Sequence, residues 1–90
     1  MVTISFDSAK NERNVAIRGI SFERVVAFEW DSALIVEDTR EDYGERRFQA
    51  LGLIDGRLYV LVFTPRAGKT HVISLRKANG REVTRYEAQT

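Results

Sequence analysis

The chain has 90 residues, 43% of them hydrophobic and 30% charged, which is enough for one small domain with a hydrophobic core. It has no cysteine, which excludes a disulfide framework and a thiolate metal site, and no apolar run is long enough for a membrane span. The net charge of +1 hides an asymmetry, since residues 1–45 carry 5 basic and 10 acidic side chains and residues 46–90 carry 9 and 3. Such an asymmetry indicates a polyanionic or charged partner.

The start of the chain has no basic segment followed by an apolar stretch, so no signal peptide is visible. One proline and no low-complexity run leave no room for a linker. We therefore predict a single domain over residues 1–90, located in the cytoplasm, with no membrane contact and no cofactor.

The first part of the chain predicts short strands alternating with helices. Residues 2–6 alternate in polarity and predict a strand, and residues 8–18 predict a helix for which Asp7 is the N-cap. Residues 21–28 have a serine N-cap and helical spacing, which predicts a second short helix. A brief strand is expected over residues 33–36.

An acidic segment, EDTREDYGE, occupies residues 37–45. Its simpler interpretation is a solvated loop. The alternative is a docking surface for a basic partner.

The second half of the chain changes to a period of two, which predicts strands over residues 46–54, 57–64 and 70–76. Asp55-Gly56 separates the first two of these strands and is a strong hairpin signal. A capping box then predicts a final helix over residues 80–87. The predicted fold is α+β: a small antiparallel sheet of three main strands plus short N-terminal strands, packed by two N-terminal helices, with a C-terminal helix.

The loop lengths fix an expected register and hence two faces of the sheet. A two-residue loop pairs Gly52 with Tyr59, and a four-residue loop at residues 66–69 pairs Tyr59 with Arg76. The face expected to lie under the N-terminal helices comprises Leu51, Leu53, Leu58, Val60, Val62, Ile73 and Leu75. The opposite face, where we expect function, comprises Phe48, Arg57, Tyr59, Leu61, Phe63, Val72, Ser74 and Arg76.

Most catalytic chemistries lack support in this sequence. There is one histidine, no recognisable nucleophile elbow, no glycine-rich phosphate loop and no calcium-loop spacing. His71 is either a partly buried edge residue or a proton-transfer group beside Arg47.

A set of cations remains, and arginine and lysine are suited to phosphate. Metal-free RNA cleavage needs a base for the 2′-OH, cations for the pentavalent phosphate and an acid for the leaving 5′-oxygen. The proton-transfer candidates are Glu82, Tyr86, Lys10 and His71. Tyr59 and Tyr86 could stack on a base or simply pack. A purely solubilising role for the arginines is the alternative.

Several motifs occur in order along the chain. They are Phe6-Asp7-Ser8-Ala9-Lys10 with RGISFE at residues 18–23, GERR at residues 44–47, VFTPR at residues 62–66, and VISLRKA at residues 72–78 followed by Arg81-Glu82 and Tyr86. In these motifs the chain resembles the BrnT toxins, ribonucleases of bacterial type II toxin–antitoxin systems with a RelE-like fold. Arg18 stands where the family has a histidine, so a non-catalytic RNA- or protein-binding module is the alternative function.

The resemblance implies a metal-independent endoribonuclease of the mRNA-interferase kind, which cuts RNA and inhibits translation. It also implies a cognate antitoxin with a ribbon-helix-helix DNA-binding part. The toxin would be linked to DNA only indirectly, through this antitoxin. The expected catalytic residues are Lys10, Arg66, Arg76, Glu82 and Tyr86. The expected RNA-binding residues are Arg18, Arg47, Arg57, Tyr59 and Lys77.

Overall fold

The computed structural model describes residues 2–89, so Met1 and Thr90 of the predicted domain lie outside the described residues. The strands are β1 (Ile4–Phe6), β2 (Leu34–Asp38), β3 (Arg47–Ile54), β4 (Arg57–Arg66) and β5 (Lys69–Lys77), and the helices are α1 (Ser8–Arg18), a 3-10 helix (Phe22–Ala27) and α2 (Gly80–Ala88). Within residues 2–89, no helix is both long and apolar enough to cross a membrane.

The strands form one five-stranded sheet in the order β1-β5-β4-β3-β2. β1 pairs with β5 in parallel, and all the other neighbours are antiparallel. The predicted α+β class is therefore confirmed. The sheet is mixed rather than antiparallel, because the short first strand joins the far side of β5.

Local sequence signals set the ends of the elements. The Asp7 side chain accepts a hydrogen bond from the Lys10 backbone N–H at 3.0 Å, which caps α1. Gly19 ends that helix in the left-handed conformation, with φ of 70°. The Asp55-Gly56 turn has φ of 50° and 78°, as the tight hairpin requires, and it places Gly52 opposite Tyr59 as predicted.

A β-bulge changes the expected pairing between β4 and β5. Phe63 lies opposite Val72, whereas Val62 lies opposite Ser74, so Ile73 is the extra residue. The predicted Val62–Ile73 pair is therefore wrong.

Beyond the bulge, the register of β5 differs by one residue from the prediction. Tyr59 lies opposite Lys77, and Arg76 lies opposite Val60. The predicted Tyr59–Arg76 pair is wrong for this reason. Because side chains alternate along a strand, the bulge brings His71, Ser74 and Arg76 to the same face.

Both faces of the sheet are covered, and the predicted faces are reversed for β3 and β4, whereas Leu75 of β5 lies under the N-terminal helical segment as predicted. The 3-10 helix contributes to a core with Ala50, Ile54, Tyr59, Leu61, Val72 and Leu75. A second cluster on the other face unites Tyr86 and Val83 of α2 with Leu51, Leu58 and Val60. The N-terminal helical segment thus covers the face that carries Tyr59, and α2 covers part of the face that carries Arg76.

The helix α1 is held by a polar contact rather than by an apolar stripe. Its Val15 and Ile17 are 44% and 73% exposed, and Asn14 is its buried residue. The Asn14 amide donates to the Ile20 carbonyl at 2.8 Å and to the Leu75 carbonyl at 2.9 Å. This amide satisfies a backbone acceptor of β5 beyond the end of its pairing with β1.

Replacing Asn14 with leucine is expected to lower the free energy of unfolding by about 1–3 kcal/mol, because two buried carbonyls lose their partner. Urea denaturation measures the change. Val15→Ala in the next position is the control and should cost less than about 0.5 kcal/mol, since the side chain is exposed. An equal cost in both variants would contradict the anchoring role of the amide.

Gly52 is required by the close approach of an aromatic ring. A Cβ atom at this position would overlap the ring of Phe28, which in turn packs edge-on against Trp30 with centroids 4.8 Å apart. Gly52→Ala is therefore expected to cost about 1–3 kcal/mol, measured by urea denaturation. The additional change Phe28→Leu should recover part of this loss. A neutral Gly52→Ala variant would show that the ring moves freely.

Candidate functional site

The one histidine lies in β5, opposite Ser5 in the middle of the pairing with β1. His71 is half-buried, pairs with Thr64 across the β4–β5 ladder, and its Nδ1 lies 2.9 Å from the Ser5 Oγ. The Ser5 contact orients the ring. When Nδ1 carries the proton and donates it to Ser5, Nε2 is free to accept a proton from a substrate.

The surroundings of His71 favour the neutral imidazole. Burial is the largest cause that lowers its pKa below 6.5, and the positive charges of Arg66 and Lys10 lower it further, while Glu45 acts in the opposite direction. His71 is therefore unprotonated at neutral pH and suited to be a base. Its contribution to folding stability is fully present above pH 6.5 and is lost as the pH falls through its folded-state pKa.

A carboxylate joins two of the predicted cations beside this histidine. Arg66 Nη2 donates to Glu45 Oε1 at 3.0 Å and to Oε2 at 3.2 Å, and Arg47 Nη2 lies 4.0 Å from Glu45 Oε2. The Arg47 guanidinium lies 3.8 Å from the centre of the Tyr43 ring. Glu45 was not among the expected site residues, although the GERR motif at residues 44–47 contains it.

A cleft of about 260 Å³ lies between α1 and β5. Its lining comprises Lys10, Arg13, Asn14, Ile17, Arg18, Phe22, Ile73 and Ser74. Three of these side chains are cationic and none is a carboxylate, so the cleft is suited to an anion. Arg18 donates to Asn14 Oδ1 at 3.2 Å and to Ser74 Oγ at 3.1 Å. Arg13 was not among the expected site residues, since it belongs to none of the motifs.

Lys10 connects the cleft with the histidine. It lines the cleft from α1, and its charge acts on His71 of β5. The expected residues Lys10, Arg18, Arg47 and Arg66 therefore lie around one region, which we call the cationic site. This region comprises the α1–β5 cleft, His71 and the Glu45–Arg66 pair.

Arg76 and Glu82 form a separate ion pair farther along β5. Arg76 Nη1 and Nη2 donate to Glu82 Oε1 and Oε2 at 2.8 and 2.7 Å, a bidentate geometry. Glu82 also accepts from the Asn79 backbone N–H at 2.8 Å, which completes the capping box of α2. The hydrogen bonds from Arg76 hold the pKa of Glu82 below 4.5, so this carboxylate is a weak base and holds no proton to donate at neutral pH.

Besides Arg76 and Glu82, four more of the expected residues lie outside the cationic site. Tyr59 is 2% exposed, so its ring has no free face for a base to stack on. Its hydroxyl accepts a hydrogen bond from Arg24 at 2.9 Å. Tyr86 is 9% exposed and packs from α2 against Leu51, Leu58 and Val60 of the sheet. Arg57 lies at the end of β4 opposite to Arg66, and Lys77 pairs with Tyr59 near that same end.

Metal ligands are not grouped in the described part of the chain. Within residues 2–89, no three histidine, aspartate or glutamate side chains are arranged so as to hold a metal ion. The charged groups that do converge are cations.

The fold and the cationic site define a small α+β protein that presents positive charge around a neutral histidine. A family model described as the ribonuclease toxin BrnT of type II toxin–antitoxin systems matches residues 6–82 of the 90. The chain belongs to this BrnT family. The match includes Lys10, Arg66, Arg76 and Glu82 and ends before Tyr86. A search of curated proteins found no match to this chain.

Proposed function

We propose that this protein is a metal-independent endoribonuclease toxin that cleaves RNA at the cationic site. One observation carries the proposal: Lys10 of α1 and Arg66 of β4, two separate elements, lie near enough to the half-buried His71 of β5 for their positive charges to act on it. A base among fixed positive charges is the arrangement that phosphodiester cleavage by the 2′-hydroxyl needs. The convergence of these cations is what distinguishes a site from scattered solubilising charge.

The proposed reaction is an internal transesterification. Neutral His71 accepts the proton of the 2′-hydroxyl through Nε2, while Ser5 holds Nδ1. The 2′-oxygen then bonds to phosphorus, and the bond from phosphorus to the 5′-oxygen breaks. Lys10 donates a proton to the leaving oxygen, which yields a 2′,3′-cyclic phosphate and a 5′-hydroxyl.

The arginines stabilise the negative charge that builds up on the phosphate. Arg66 keeps unused donors although Glu45 accepts from it, because a guanidinium has five N–H groups. Arg76 can donate in the same way to a neighbouring phosphate of the strand while it stays paired with Glu82. The α1–β5 cleft, with Arg18 and Lys10 in its lining, is positioned to hold a further backbone phosphate.

The biological part of the proposal follows from family membership. Cleavage would act on RNA needed for translation in the cytoplasm, and a cognate antitoxin with a ribbon-helix-helix part would neutralise the toxin. The five-stranded sheet with flanking helices is compatible with a RelE-like fold.

A non-catalytic binding module is the second candidate, and the contacts of Arg18 favour it. This side chain replaces the family histidine, donates to Asn14 and Ser74, and has no proton-accepting atom. If the family histidine is the base, this chain binds RNA without cutting it. Salt-sensitive RNA binding without products distinguishes this candidate.

Expression in bacteria tests the proposal with a matched pair of arginines. Arg66→Ala should relieve growth arrest and RNA fragmentation, whereas Arg57→Ala, at the other end of the same strand, should not. Co-expression of the protein encoded by the neighbouring reading frame should restore growth. Growth without arrest when the wild-type chain accumulates in soluble form would contradict the proposal.

A further inference from the structure

β2 forms one edge of the sheet, and it exposes apolar side chains. Ile35 is 45% exposed and Val36 is 58% exposed, and no further strand lies beyond β2 in the described sheet. The strand contains no proline or lysine of the kind that protects edges from pairing. An edge of this type can accept an added strand through backbone hydrogen bonds.

The acidic charge of the chain is concentrated at this edge. Residues 31–45 carry six acidic side chains and one arginine, a net charge of −5, whereas residues 1–30 carry four acidic and four basic ones. The whole acidic excess of the first half therefore belongs to β2 and its flanking loops.

Part of this charge is left uncompensated. Glu37 pairs with Arg46 at 2.9 Å and Asp38 pairs with Arg40 at 2.8 Å. Asp31, Glu41 and Asp42 take part in none of the salt bridges found within residues 2–89. These exposed carboxylates flank the strand and attract positive charge.

We propose that the β2 edge binds a basic, extended segment of a protein partner by strand addition. This inference rests on the proposed function, since the partner of a type II toxin is its antitoxin. Charge selects the occupant: a second copy would bring together two sets of carboxylates that are outside the salt bridges, whereas a basic segment would neutralise one set. The exposed side chains of Ile35 and Val36 supply apolar contact, and the carboxylates supply specificity.

The β2 edge and His71 lie at opposite sides of the sheet, while Arg47 of the cationic site lies opposite Asp38 of β2. β3 and β4 separate β2 from β5, which carries His71. A partner segment on β2 alone therefore leaves the proposed catalytic groups uncovered. Variants at the edge should change partner binding and leave RNA cleavage intact.

Two short peptides and two matched variants test the inference. The probes are ten-residue peptides that alternate Lys with Val or Glu with Val, titrated into 15N-labelled protein. Val36→Lys places a cation on the edge, and Val26→Lys is the control, because Val26 is 57% exposed on the 3-10 helix. Glu41→Lys is a second test variant that leaves the strand itself unchanged.

The basic peptide should shift the amide resonances of residues 34–38, with affinity lowered about tenfold or more by Val36→Lys and by Glu41→Lys. Val26→Lys should bind as the wild type does. The inference is overturned if millimolar basic peptide shifts none of these amide resonances, or if the acidic peptide binds equally well. It is also overturned if the protein associates with itself and Val36→Lys abolishes that association. RNA cleavage is assayed in parallel, so a failed proposed function and a failed docking site give separate results.

Discussion

Replacing His71 with glutamine is expected to lower the rate of RNA cleavage by about 10²–10⁴-fold, the usual contribution of general acid–base catalysis. Glutamine keeps a polar side chain that can reach Ser5, and it cannot take up a proton at neutral pH. Single-turnover cleavage of a labelled oligonucleotide measures the change. Thermal unfolding of the same variant shows whether its fold is preserved.

The pH dependence of the wild type provides the control for this variant. Because burial and the nearby cations lower the pKa of His71 below 6.5, the rate should fall with decreasing pH only below that value. His71→Gln should lack this acidic limb. An acidic limb that persists in the variant, or one that lies above pH 6.5, would assign the proton transfer to another group.

Arg76→Ala is expected to lower kcat/KM for RNA cleavage by about 10–100-fold, as the loss of one charge-assisted hydrogen bond to a neighbouring phosphate does. It should also lower the free energy of unfolding by about 1–2 kcal/mol, because Glu82 loses a bidentate, partly exposed partner. Cleavage is measured as for His71, and stability is measured by urea denaturation. The stability difference should be largest above pH 4.5 and should shrink as the pH falls through the folded-state pKa of Glu82.

Two further variants separate catalysis from packing at this ion pair. Glu82→Gln weakens the pair and leaves the Arg76 guanidinium in place, so stability should fall while cleavage is retained. Arg81→Ala removes an exposed cation next to Glu82 and should change neither. If Glu82→Gln lowered cleavage as strongly as Arg76→Ala, Arg76 would act only by holding α2.

Short-range signals in the sequence predicted the elements well. The Asp55-Gly56 turn, the Asp7 cap and the capping box at Asn79 each depend on a few neighbouring residues, and each occurs as predicted. The β3–β4 register followed from the turn alone. Such features are local, so a single sequence is sufficient to predict them.

The faces of the sheet could not be predicted in the same way. The bulge at Ile73 lies directly after the last residue of β5 that pairs with β1, and no residue near it signals an extra position. One unpaired residue is enough to reverse the alternation of β5. Because of the bulge, Arg76 lies opposite Val60 and not opposite Tyr59, and the sequence did not predict that His71, Ser74 and Arg76 share a face.

The candidate site was partly predictable for a related reason. Lys10 and Arg66 belong to ordered motifs, and the positive charges of both act on His71. The sequence cannot show that Tyr59 and Tyr86 are buried, because an aromatic residue in an amphipathic element packs or binds equally well. Glu45 and Arg13 were missed, since their relevance comes only from side chains that approach from other elements.

The charge asymmetry of the chain has two separate origins in the structure. The acidic excess lies on β2 and the adjacent loops, at one edge of the sheet. Cations from both halves of the chain meet near β5, at the other side. The proposed RNA site and the proposed protein-binding edge therefore depend mainly on different strands of the sheet.

Incubation of the purified protein with RNA in excess EDTA decides whether it is a metal-independent ribonuclease. Cleavage is expected to give 2′,3′-cyclic phosphate and 5′-hydroxyl ends, to be retained in Arg57→Ala and to be lost in His71→Gln. RNA that stays intact with the folded wild-type protein, or cleavage that His71→Gln leaves unchanged, would contradict the proposed function.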